Sequence, residues 1–190
     1  MIVIVSAVAG ALFSGIIQFI LNFRERELKA KSIEAAYYGE INSLLYLIHK
    51  RNFRKLLENN KSEINKSQKT RAINNAIFEP FLVVHSDKFW NVYLTNSENI
   101  GLVNANIVKD IIKFYNLIFG LLEDAQYAGE NEKRITEHFK IDEAALYLER
   151  LARMDRVYSE DINLLDEAIV TGEKVCENLK LEIDKPWYKF

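Results

Sequence analysis

Three consecutive residues, His85, Ser86 and Asp87, carry the side-chain types of a hydrolytic triad. A triad is defined by spatial roles: a hydroxyl in reach of an imidazole, which a carboxylate orients. Adjacent positions do not by themselves give that geometry, and Ser86 or Asp87 is better read as the cap of a helix. The other two histidines, His49 and His138, have no His or Cys at ligand spacing, so no metal site is expected. No glycine-rich phosphate loop and no nucleophile elbow occurs. The single Cys176 permits no intrachain disulfide, which suits a reducing compartment. It falls on an apolar helical seam, where a thiol packs as a small hydrophobe. Carboxylates are dense from Glu143 to Glu167, mostly as a solvated face. Asp155 is the exception: it falls on the seam and could pair with Arg51, Arg54 or Lys55 and fix register. No catalytic residue, metal ligand or cofactor is assigned, and an enzyme is not expected.

Charge is unevenly spread. Residues 1–122 carry 15 Lys/Arg against 10 Asp/Glu, a net of +5, and residues 123–190 carry 10 against 17, a net of −7. The basic half holds a dense stretch: Lys50, Arg51, Arg54, Lys55, Lys61, Lys66, Lys69 and Arg71. A phosphate backbone could exploit it. Aromatic interleaving and a known motif are missing, and an acidic helix of the same chain is available to face it, so nucleic acid is not an expected partner.

The elements that position these residues begin with Ile2–Phe23, IVIVSAVAGALFSGIIQFILNF, which carries no charge until Arg24 closes it. At about 1.5 Å of rise per residue, a run of that length matches a hydrocarbon core of roughly 30 Å. It is expected to be a transmembrane helix. No basic n-region precedes it, which argues against a cleaved signal peptide. Arg24, Arg26, Lys29 and Lys31 follow directly, so residues 24–190 are expected in the cytoplasm, with the N-terminus outside the inner membrane. Ala7, Ala11, Ser14, Gly15 and Gln18 share a face of the span. Small residues there allow close helix approach, and a Gln can bond across the contact, so a homo-oligomer through the span is expected.

The rest of the chain has a helical pattern. Glycine and proline are scarce, at seven and two, which predicts long helices with short connections. Tyr37, Ile41, Leu44, Leu45, Ile48, Phe53, Leu56 and Leu57 form a stripe that predicts a helix over 24–59, continuous with the span. Glu25–Lys29 and Glu27–Lys31 are i,i+4 pairs in the favourable order. Asn59–Lys61 is expected to end that helix, with a shorter one over 62–77 capped by Ser62 and stopped by Pro80. A short aromatic helix follows over 86–94. Asn96–Gly101 reads as a turn, with Gly101 free to take positive φ. A third long helix, capped by Asn104 or Asn106, is predicted to reach Tyr127, with a loop around Gly129. Over 141–183, Ala144, Leu148, Leu151, Asp155, Tyr158, Ile162, Leu165, Ile169, Gly172, Cys176 and Leu179 alternate by four and three, the seam of coiled-coil packing.

The plan resembles a family of uncharacterised bacterial proteins with one N-terminal span. The shared segments are Ala35, Ala36, Glu40 and Ile41; Tyr93-Leu94-Thr95-Asn96 with Ile100-Gly101-Leu102; and Ile111-Ile112-Lys113-Phe114-Tyr115. The resemblance covers residues 2–122, and its motifs are short. The resemblance implies an architecture and no activity.

The fold expected is all-α. A transmembrane helix, 2–23, continues into a long helix that packs antiparallel to the C-terminal heptad helix, within a cytoplasmic bundle domain, 24–190. The helices of 62–127 are expected to close the far end. Phe81, Trp90, Tyr93 and Tyr115 are core there or a candidate partner pocket. Arg24, Arg26, Trp187 and Tyr188 are expected at the membrane interface. The function this supports is an adaptor or sensor subunit that recruits another, unidentified protein. The alternative is a membrane-perturbing effector whose span oligomerises, as in toxin or phage-defence systems. An enzyme with a site in the aromatic region is the least supported reading.

Overall fold

Helix α1 runs unbroken over Ile2–Lys50, 49 residues, in a computed structural model of the chain. The structure describes residues 2–70, 90–137 and 144–186, and the side chains of 13–69, 90–127 and 148–186. The described elements are all helical: α1, α2 (Phe53–Thr70), α3 (Asn91–Asn96), a 3-10 helix (Ser97–Leu102), α4 (Ala105–Glu137) and α5 (Ala144–Asp184). At about 1.5 Å per residue α1 is roughly 73 Å long and α5 roughly 62 Å.

The break after α1 lies at Arg51–Asn52, eight residues earlier than the sequence suggested. Asn52 has φ of 52°, the only positive value at a non-glycine among the described residues. Asparagine enters the left-handed region more readily than most residues. Its N–H donates to the His49 carbonyl at 3.1 Å, and its own carbonyl accepts from Leu56 N–H at 3.2 Å, so one helix closes as the next begins. Asn59–Lys61 lies inside α2 and ends nothing. Asn60 is buried, with its Nδ2 3.4 Å from the Tyr158 hydroxyl. Ser62 is likewise interior rather than a cap.

Helix α5 is the central element, and both neighbours run antiparallel to it. On one side Lys31 meets Ile183, His49 lies 3.8 Å from Glu173, Arg54 pairs with Asp166 at 3.1 Å, and Asn60 meets Tyr158. On the other, Asp110 pairs with Lys174 at 2.8 Å, Lys113 with Glu167 at 2.6 Å, and Tyr127 approaches Arg153 at 3.4 Å. The expected antiparallel pairing of the first and last long helices is therefore present, and α4 lies parallel to the α1–α2 rod. Helix α4 begins with the Asn104 carboxamide accepting Asn106 N–H at 3.1 Å, as expected of an N-cap. It continues through Gly129 to Glu137, where the sequence suggested a loop.

Serving two partners widens the buried stripe of α5. Leu151, Met154, Tyr158, Asp161, Leu165, Ala168, Gly172, Val175 and Leu179 are buried, at spacings of three and four. The predicted seam shares Leu151, Tyr158, Leu165, Gly172 and Leu179 with it, and Cys176 of that seam is buried beside Val175. Three other positions are shifted by one residue: Asp155, Ile162 and Ile169 are half-buried flanks. Leu148 is 38% exposed. Gly172 allows the tightest crossing, since a Cβ there would lie 2.7 Å from Phe114 and 3.1 Å from Leu45.

The described part of the aromatic segment, from Trp90 on, does not close the far end of the bundle. Helix α3 and the 3-10 helix pack beside α1 near residues 22–40, toward the apolar end. Gly101 does not take positive φ; no described glycine does.

Candidate functional site

The chemistry of the described chain concentrates where α1 leaves its apolar segment and meets α3, the 3-10 helix and the end of α5. Glu40 organises the first contact. Its carboxylate accepts the backbone N–H of Val92 at 3.0 Å and of Tyr93 at 3.2 Å, and the hydroxyl of Tyr115 donates to it as well. The first turn of a short helix is thus held by a side chain from another helix. Tyr93 stacks on Tyr115 with centroids 4.3 Å apart, and Trp90 packs on Phe119 at 4.6 Å. Tyr115 is fully buried, and burial followed by its bond to Glu40 pushes its hydroxyl far above the ordinary range. Burial also pushes Tyr37 up to about 12, with lesser contributions from Tyr93 and Glu40. Both phenols are neutral at physiological pH. Tyr37 has a buried hydroxyl oxygen with no hydrogen-bond partner among the described residues.

Lys31 organises the second contact. Its ammonium donates to the carbonyls of Ile183 (3.1 Å) and Lys185, the free acceptors at the C-terminus of α5. A cation there also suits the negative end of the helix dipole. Buried Glu34 lies alongside, and its carboxyl is raised by burial first and then by Glu182, against opposing effects of Lys31 and Lys185. Lys31 is thus engaged with α5 rather than forming the expected pair with Glu27.

The third feature is an open cleft of about 440 Å³ between α1 and the 3-10 helix, lined by Asn22, Glu25, Arg26 and Lys29 on one wall and Glu98 and Asn99 on the other. Toward the N-terminus, every described residue from Phe13 to Arg26 is exposed. Phe13, Ile16, Ile17, Phe19, Ile20, Leu21 and Phe23 are 49–72% exposed.

The predicted site residues separate as follows. Of the candidate pocket, Trp90 and Tyr115 are buried and Tyr93 is half-buried, all within the packed core; Phe81 lies outside the described residues. His85, Ser86 and Asp87 lie outside them too, as do Trp187 and Tyr188 and the side chains of Ala7 and Ala11. Ser14, Gly15, Gln18, Arg24 and Arg26 are exposed on α1. Asp155 does not meet the basic residues expected of it. Its Oδ1 is buried without a hydrogen-bond partner among the described residues, and Arg54 pairs instead with Asp166 and, at 3.7 Å, Glu58. The acid truly on the seam is Asp161, 1% exposed. Burial first, then the charge of Asp124, pushes its carboxyl up to about 8. The sequence signal for it was present, since Asp161 lies three residues from Tyr158 and four from Leu165. Cys176 is buried, and burial with the nearby Glu173 pushes its thiol up to about 11, away from the reactive thiolate. Among the described residues no three His, Cys, Asp or Glu gather as a metal site.

Among the described residues no helix is long and apolar enough to cross a membrane. Only the second half of the uncharged run, from Phe13 on, has described side chains. In comparisons with known proteins, no family, no curated protein and no solved structure matches this chain.

Proposed function

We propose that this protein is a membrane-anchored helical interaction protein. In this reading residues 2–23 cross the bilayer, and residues 24–190 display a helical bundle on the cytoplasmic face that recruits a protein partner. The observation that carries it is the exposure of Phe13–Phe23. Seven large apolar side chains spread over more than half the circumference of α1, opposite the uncharged Ser14, Gly15, Gln18 and Asn22, and no other described helix covers them. A bare apolar patch of that size on an uncharged helix calls for an apolar environment. The uncharged residues 2–12 extend the same helix far enough to span. The orientation rests on Arg24, Arg26, Lys29 and Lys31 beyond the run. Carbonate extraction of membranes from expressing cells tests the anchor. The full chain should stay in the pellet and residues 24–190 alone should not; release of the full chain by carbonate would remove the reading.

The effector alternative draws support from one feature, the open face at Gly15, where a Cβ would meet nothing within 4 Å. A second copy of the span could approach there. Permeability of induced cells to a small dye separates the two. Leakage that needs the span and not the bundle favours the effector, and intact membranes favour the adaptor.

A further inference from the structure

We propose that the cleft between α1 and the 3-10 helix binds the headgroup of a zwitterionic phospholipid bearing a primary amine, a phosphoethanolamine group. The inference rests on the membrane anchor proposed above and adds a ligand to it. Its first support is the state of the charges. Glu25, Arg26 and Lys29 on α1 and Glu98 opposite put two cations and two anions into one cleft. Among the described residues none of the four takes part in a salt bridge. That is unexpected for Glu25 and Lys29, which stand at i,i+4 in the order that favours pairing. Both charges are left available to a ligand carrying the opposite two.

The second support is depth. Asn22 is the polar residue just before the closing Phe23 of the uncharged run, and Glu25, Arg26 and Lys29 follow within two turns on the same face. With residues 2–23 in the hydrocarbon, this face lies at headgroup level. The third is fit. The cleft, about 440 Å³, is of the size that holds a small polar group. Arg26 and Lys29 supply N–H donors for a phosphate, the guanidinium as a two-pronged fork. Glu25 and Glu98 accept from a primary ammonium, which has three N–H donors. A quaternary ammonium has none, and its methyl groups hold the charge away from the carboxylates. Asn22 and Asn99 add neutral amides for the ester oxygens.

The test uses the full chain in vesicles of phosphatidylethanolamine, phosphatidylcholine and phosphatidylglycerol in equal parts, extracted with mild detergent, with retained lipid read by native mass spectrometry. The wild type should retain phosphatidylethanolamine about three-fold over phosphatidylcholine, the size of one or two exposed ion pairs. Glu25→Gln with Glu98→Gln should bring that ratio to about one while lipid is still bound. Arg26→Ala with Lys29→Ala should lower retention of both. All four side chains are exposed on the surface, and helix content by circular dichroism checks that the variants fold. A wild-type ratio near one, a ratio unchanged by the Gln variant, or retention dominated by phosphatidylglycerol would each overturn the proposal. Flotation of the same vesicles reports the anchor separately. Protein that floats with them but shows no preference sinks the headgroup site alone, whereas protein left at the bottom sinks the anchor as well.

Discussion

At the residue scale, two positions on α5 are opposed to ordinary helix preference, and each makes a measurable prediction. Asp161 is a carboxyl in an apolar seam, raised to about 8 by burial and then by Asp124. The unfolded chain should titrate it near 3.9. The folded state therefore holds a proton that the unfolded chain has released, so its contribution is greatest below about pH 4 and is lost as pH rises towards 8. Asp161→Asn keeps the shape without the titration. Its melting temperature should exceed that of the wild type at pH 8.5 and fall less between pH 5 and 8.5; parallel profiles would show that Asp161 is not protonated in the fold. Gly172 makes the opposite case. Alanine should gain about 1 kcal/mol of helix propensity there. Yet its Cβ would lie 2.7 Å from buried Phe114, and overpacking of that kind costs about 1–3 kcal/mol. Gly172→Ala should therefore lower the urea midpoint, and a raised midpoint would mean that Phe114 can move aside. The seam position of Asp161 was legible in the sequence, and the close contact of Gly172 was not. The heptad spacing marked Gly172 as a seam position, but the identity of its neighbour comes from α4, more than fifty residues away in the chain.

At the element scale, the helices were legible, as were the Asn104 cap of α4 and the end of α5, while the end of α1 and the far end of α4 were not. Periodicity in Tyr37–Ile48 identifies α1 because a one-sided apolar stripe has the period of the helix itself. Its end is set by one asparagine with positive φ, and Asn59–Lys61 offered an equally polar stop. Asn52→Gly should be neutral or stabilising, because glycine takes positive φ freely, while Asn52→Ala should cost about 1 kcal/mol; equal stabilities would deny the break its conformational origin. The seam of α5 was half right for a physical reason. A helix packed on one partner buries a narrow stripe, and α5 packs on two, so positions flanking the stripe were equally apolar. The Glu40 clamp was unreadable, since the backbone N–H groups it accepts carry no side-chain signature. Glu40→Gln should lose roughly 1–2 kcal/mol by weakening charge-assisted bonds, and amide exchange of residues 91–102 should speed up ahead of the rest of the chain. Protection unchanged in that segment would remove Glu40 as its anchor.

At the scale of the whole molecule, the sequence conveyed an all-helical chain with antiparallel first and last long helices, and misplaced α3 and the 3-10 helix. Tertiary placement of a short, weakly amphipathic segment is decided by contacts such as Glu40–Val92, which no local pattern encodes. Its true position brings three chain segments to one level of α1: the apolar helix end, the 3-10 helix and, through Lys31, the end of α5. Lys185 thus lies eight residues, about 12 Å along the helix, beyond Phe23. The aromatic tail Trp187–Phe190 starts from there. With Trp90 replaced by Phe, Trp187 fluorescence of the full chain in vesicles should be quenched strongly by lipids brominated near the headgroup; absence of quenching would detach the tail from the surface. The unbroken run of α1 from residue 2 to residue 50 has a mechanical meaning too. A continuous helix is a stiff shaft, so a twist or tilt applied at one end arrives undiminished at the other. Two alanines inserted after Phe23 would turn the bundle by about 200° about that axis, while seven would return it nearly to its original bearing and lift it by about 10 Å. If the protein signals by torque, activity should follow the angle of the insertion rather than its length.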